Sequence, residues 1–145
     1  MFYKDKMVII RDIEGNLNLF RLVQHDLVQY IFNKLDNSIQ ERVVSKDVYV
    51  DFNASIDNKS QIYIIYQDMS FNLTMLLLKG DEVENIKLTK ESIPEVYNLD
   101  MMVEDGNLHI FSCISLTEGS KKYKIYPHYY DGNIWDTHVV DEINV

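Results

Sequence analysis

The chain writes nearly the same phrase more than once. The segment EGNLNLF (Glu14 to Phe20) returns as DGNLHIF (Asp105 to Phe111), and between them Asp57-Asn58-Lys59-Ser60-Gln61 leads into Ile62-Tyr63-Ile64-Ile65-Tyr66 with the same grammar. Each copy is an acidic or polar turn followed by an alternating apolar run. Aligning Leu17, Ile62 and Leu108 gives steps of 45 and 46 residues. The flanks keep the same order: Val48 to Asp57 parallels Val96 to Asp105, and Leu35 to Val44 parallels Tyr130 to Val139. Three units, about 1–47, 48–95 and 96–145, cover nearly all of the 145 residues and form one domain. A period between 20 and 50 residues indicates stacked modules that bury each other's faces.

Each unit reads as four short strands. In the third they run from Tyr97 to Glu104, Leu108 to Cys113, Lys122 to His128 and Ile134 to Val140. With 16 Tyr and Phe against two Pro and five Gly, composition favours the half-buried pleated surface of a sheet, so the fold class is all-β. Gly15 and Gly106 suit a tight hairpin turn, because glycine enters the positive-φ region without steric penalty. In the middle unit Asp57 to Ser60 is expected to form a loop about two residues longer that needs no glycine. Second strands are apolar on both faces, as in Leu17 and Leu19 opposite Phe20 and Leu22, and strands of that kind expect cover on both sides. Fourth strands are polar, with Gln40-Glu41-Arg42 and Asp136-Thr137-His138, which protects an open edge.

Four-stranded antiparallel sheets stacked face to face, each with a polar outer strand, describe propeller blades. The stretch from Asp105 to Val140, DGNLHIFSCISLTEGSKKYKIYPHYYDGNIWDTHVV, resembles a blade of the sialidase-like (BNR/Asp-box-related) β-propeller superfamily. Repeats of that superfamily often run acid-Gly-Asn-apolar-His-apolar and later Asp-Gly-x-x-Trp, here Asp131-Gly132-Asn133-Ile134-Trp135. The Asp-box version also has a Ser or Thr and a second Gly where this chain has Tyr129 and Asn133, so the likeness is to the superfamily and not to a named family within it.

Three propeller-like blades make a partial propeller, since closed rings have about four to eight. The flat ends of the stack would then be apolar and bare, forgoing roughly 1.5 to 3 kcal/mol for each large side chain left in water. Closure by oligomerisation, for instance six blades from two chains, or further blades in a longer protein, would cover them.

Net charge is near -9, from 23 acidic and 14 basic residues, and the cations are scattered, which argues against nucleic acid and anionic membranes as partners. No apolar window approaches the roughly 18 residues of a membrane span, and Met-Phe-Tyr-Lys-Asp-Lys is no secretory signal. A cytoplasmic location is the default, and a piece cut from a secreted protein fits equally. Cys113 stands alone, which excludes an internal disulfide, and reads as a small buried strand residue.

The resemblance to sialidases implies an arginine cluster for a substrate carboxylate and a Tyr activated by a Glu. Only Arg11, Arg21 and Arg42 exist; Arg11 reads onto a first strand, Arg21 after a second and Arg42 onto an outer edge, so they do not converge. His25, His109, His128 and His138 lack metal-ligand spacing, and His109 is expected to pack between sheets or bond a backbone carbonyl rather than bind metal. Neither a nucleophile elbow nor a phosphate loop occurs. Asp51 and Asp100 sit at comparable places on first strands, as channel-wall carboxylates or as ligands for a cation or sugar hydroxyls. Trp135 with Tyr126, Tyr129 and Tyr130 reads as inter-sheet packing or as a stacking platform. No catalytic, metal or cofactor-binding residue is assigned. The expected function is a non-enzymatic binding or assembly scaffold, in a homo-oligomer or a larger protein, with a protein or carbohydrate ligand. The alternatives are part of a glycan-cleaving propeller and a small-ligand β-barrel, whose strands would alternate without a 45-residue period.

Overall fold

The computed structural model describes residues 6–104, 107–115, 122–132, 135–137 and 141–144, with side chains placed at 6–96, 99–104, 107–113 and 128–132. The described residues form three antiparallel sheets and no helix. Sheet 1 holds β1 (Met7–Arg11), β2 (Leu17–Val23), β3 (Asp26–Phe32) and β4 (Ile39–Ser45) in chain order. Sheet 2 holds β5 (Val48–Ile56), β6 (Ile62–Asp68), β7 (Leu73–Lys79) and β8 (Glu82–Lys87), again in order. Sheet 3 holds β9 (Val96–Glu104), β10 (Asn107–Ser115) and β11 (Lys122–Tyr130), with β12 (Trp135–Thr137) and β13 (Asp141–Asn144) both paired to β11. Of the fourth strand expected from Ile134 to Val140, the described part is β12, and β13 lies beyond it, at residues expected to be left over. The sheets meet mainly through their first two strands, β1 and β2 against β5, and β5 and β6 against β9.

Alternation along β6 sends Ile62, Ile64 and Tyr66 toward sheet 1, where they pack with Ile10, Phe20 and Leu27. It sends Tyr63 and Ile65 the other way, into a second core with Leu99, Leu108 and Ile110. Every residue of β6 is buried. The aligned positions show that burial follows from having a neighbour. Leu17 is 39% exposed, Ile62 5% and Leu108 0%, because sheet 1 has nothing before it. Three residues on, Phe20 and Ile65 are at 0% and Phe111 is 46% exposed, because sheet 3 has nothing after it. Second strands were expected to be covered on both faces; that holds for β6, while β2 and β10 are covered on one.

In the first unit the phrase is a three-residue hairpin loop with its last residue in the left-handed region. The Asp12 N–H donates to the Asn16 carbonyl, and one Asp12 carboxylate oxygen accepts the N–H groups of Glu14 and Asn16. Gly15 has φ +85°, as a type I turn closed by a left-handed residue requires. The middle unit uses the same loop at the same length, with Asp57 in the role of Asp12 and Ser60 at φ 61°. The longer loop expected there is thus corrected: the aspartate side chain supplies the turn, so a non-glycine is tolerated at its end. The loop recurs between β6 and β7, where Asp68 binds Ser70 and Asn72 and Phe71 takes φ 63°. In the third unit β9 and β10 are in register at Glu104 and Asn107, leaving Asp105 and Gly106 between them, outside the described residues.

Two stability measurements check these assignments. In dilute chemical denaturation Ile64→Ala should lower the unfolding free energy by about 2 to 5 kcal/mol, as for a fully enclosed aliphatic side chain, whereas Leu17→Ala should cost less than about 1 kcal/mol. Gly15→Ala should cost about 1 to 2 kcal/mol from forcing a Cβ into the left-handed region.

Candidate functional site

A chain of buried amides crosses the inner face of sheet 1. Asn18 on β2 donates from Nδ2 to the Asp12 carboxylate and the Ile10 carbonyl, each at 3.4 Å. Gln29 on β3 donates from Nε2 to Asn18 Oδ1 at 2.9 Å, and its Oε1 accepts Arg42 Nε at 2.7 Å. Arg42 then leaves sheet 1, with Nη1 and Nη2 donating to the Asp81 and Gly80 carbonyls at 3.2 and 3.1 Å in the β7–β8 turn. Asn18 and Gln29 are almost wholly buried, so each needs its partners to offset lost hydration. The last link borders an inter-sheet groove of about 320 Å³ lined by Ile31, Gln40, Glu41, Arg42 and Asp81. By register Ile31, Gln40 and Arg42 face it, giving one apolar wall, an amide and a guanidinium edge with Asp81 at the rim, while the Glu41 side chain alternates to the opposite face of sheet 1. Arg42 reads as an edge charge in the sequence; its partners are visible only once β3 is placed beside β4.

A second hollow, of about 380 Å³, opens on the outer face of sheet 1 between Arg11, Leu17, Phe32 and the β3–β4 loop with Lys34 and Asn37. The Lys34 stem lies over Gly15, where a Cβ would come within 3.0 Å of Lys34 Cδ.

The three arginines do not meet. Arg21 lies within β2, not after it, and faces outward with Arg11, while Arg42 is engaged on the opposite face. Asp51 and Asp100 are inter-sheet ties: Asp51 accepts Lys6 Nζ and Asp100 accepts Asn53 Nδ2, and each also accepts the N–H of the following residue. His25 Nδ1 faces the Val48 and Tyr49 carbonyls at 2.9 and 3.1 Å, clamping the β2–β3 turn to the start of β5. His109, expected between sheets or on a backbone carbonyl, lies on the outer face of sheet 3, half-buried, with no sheet of the same chain over it and its ring 5.2 Å from that of Tyr129. Tyr130 points the other way, packing against the core between sheets 2 and 3 and donating to the Gly132 carbonyl. Cys113, expected to be buried, is partly exposed beside a register shift that leaves an extra residue in β9. The side chains of Trp135 and Tyr126, and all of His138, lie outside the described residues. Among the described residues no group of three His, Cys, Asp or Glu side chains is placed to hold a metal ion.

Ser112 Oγ and His128 Nε2 are 2.8 Å apart in the interior, a contact that the order of residues in the sequence does not advertise. Burial pushes the His128 pKa down to about 4. An unfolded histidine binds its proton near pH 6.5, so between roughly pH 6.5 and 4 the unfolded chain holds more protons and stability falls as pH is lowered. On this account acidification from pH 7 to 4.5 destabilises the protein by on the order of 2 kcal/mol more than it destabilises His128→Gln, read by urea unfolding at the two pH values.

No protein-family model matches the chain, and no curated protein matches it in sequence. Among solved structures, a fucose lectin from Kordia zhangzhouensis in complex with methyl-fucoside is similar at TM-score 0.54 and 16% identity, covering 92% of this chain and 97% of that one. At that identity the likeness is one of fold, and it runs nearly end to end in both chains.

Proposed function

We propose that the three sheets are propeller-type blades and that the chain is a non-enzymatic carbohydrate-binding scaffold, working in an assembly that covers its two open faces. The observation that carries this reading is the end-to-end likeness in fold to a chain described as a fucose lectin. The stacking of the sheets supports the blade reading: equivalent faces meet at both internal interfaces, and first strands lie innermost. The resemblance of the third unit to sialidase-like repeats points the same way.

The groove between sheets 1 and 2 supplies the chemistry that a saccharide asks for. Sugar rings present an apolar C–H face and a fan of hydroxyls, and Ile31 beside Gln40, Arg42 and Asp81 offers one apolar wall with both donors and acceptors. Hydrolysis is not proposed, because the arginines are divided between two faces of sheet 1.

A glycan array followed by calorimetry tests this reading. We expect binding to a subset of neutral saccharides, weakened about tenfold, or about 1.4 kcal/mol, by Gln40→Ala. An array with no saccharide bound contradicts it.

A further inference from the structure

We infer that the two open faces are complementary halves of one interface, and that a second copy of this chain covers them head to tail. The inference rests on reading the sheets as stacking units. At both internal interfaces the face carrying the Phe20 and Ile65 positions packs against the face carrying the Ile62 and Leu108 positions of the next sheet. One face of each kind is left over. Sheet 1 presents Met7, Ile9, Leu17 and Ile39, and sheet 3 presents Met102 and Phe111, all exposed. A face-to-face pairing of like with like would bring together surfaces that nowhere meet within the chain.

Charge separates the two faces further. By register, the open face of sheet 1 carries Arg11 and Arg21, with Glu41 and, beside the β2–β3 turn, Asp26. That of sheet 3 carries Glu104, with Asp100 turned back to Asn53 of sheet 2, and among its described side chains no lysine or arginine. The first face is balanced in charge and the second is acidic, so two copies of the second repel each other while the second against the first do not. Closure then fixes the number of copies. Head-to-tail contacts either close into a ring or grow into a filament, and rings of this kind hold about four to eight sheets. Two chains of three sheets fall inside that range and three chains do not.

The seam also completes the hollow on sheet 1. Tyr129 pairs with His109 in sheet 3 as Ile31 pairs with Asn18 in sheet 1. Ile31 lines the groove beside the β7–β8 turn of the next sheet, so the partner's Tyr129 would line the hollow beside the β3–β4 loop, opposite Phe32 and Lys34.

Light scattering across a dilution series tests the inference, with Ile9→Glu on one face and Met102→Glu on the other. These side chains are 67% and 55% exposed in the single chain, so neither change opens a core, and far-ultraviolet circular dichroism verifies that each variant keeps its sheet content. The wild-type chain should have twice the 17.1 kDa chain mass, and each variant alone the mass of one chain. A wild-type protein that stays single at every concentration, or assembles beyond two copies, overturns the inference. So does a variant that still pairs like the wild type, since a head-to-tail seam needs both faces. A single chain that binds saccharides would overturn this inference and leave the carbohydrate-binding part of the proposed function standing; a pair that binds none would do the reverse.

Discussion

The structure depends on the burial of β6 from both sides. Ile62, Ile64 and Tyr66 close one core while Tyr63 and Ile65 close the other, so one strand is shared by two interfaces. An isolated four-stranded sheet of this composition would leave an apolar face in water on each side, at roughly 1.5 to 3 kcal/mol for each large residue. Stacking removes most of that cost for the middle sheet, where Val83 on its outer strand stays exposed, and covers one face of each end sheet. The end sheets thus inherit a requirement the chain cannot meet by itself, and this is why binding and assembly are linked in the account.

Polar contacts decide how the sheets sit on one another. Arg42, held by Gln29 and through it by Asn18, reaches the carbonyls of Gly80 and Asp81, and Lys6 and Asn53 bind Asp51 and Asp100 along the innermost strands. Hydrophobic burial is non-directional and would accept many slips of one sheet over another. Buried amides and a guanidinium with fixed partners accept few, because each misplacement strands a desolvated polar group. Tyr63 belongs to the same class: burial, together with its bond to the Asp57 carboxylate, pushes its pKa up to about 12, keeping it a donor.

The 45-residue period and the two-faced apolar second strands made the three sheets and their order readable from the residues. What stayed hidden was local or relational. The Asp57 loop was misjudged because glycine was taken as the mark of the turn, when the aspartate side chain organises it. The pairing of Asp141 to Asn144 with β11 was missed because those residues carry one large apolar side chain, Ile143, and so show no alternation. His109 was misplaced for another reason: alternation predicts which face a side chain takes, and only the neighbours decide whether that face is covered. The amide chain through Asn18, Gln29 and Arg42 links residues 11 and 13 positions apart, and no spacing rule singles out that pairing.

The claim that the middle sheet is the shared support of the fold is open to native-state hydrogen exchange followed from dilute to concentrated solution. The slowest amides should lie in β6 and β7 throughout, while concentration adds protection only to sheets 1 and 3, whose outer faces stand open in one chain. Middle-sheet amides that exchange in dilute solution as fast as those of the outer sheets would contradict it.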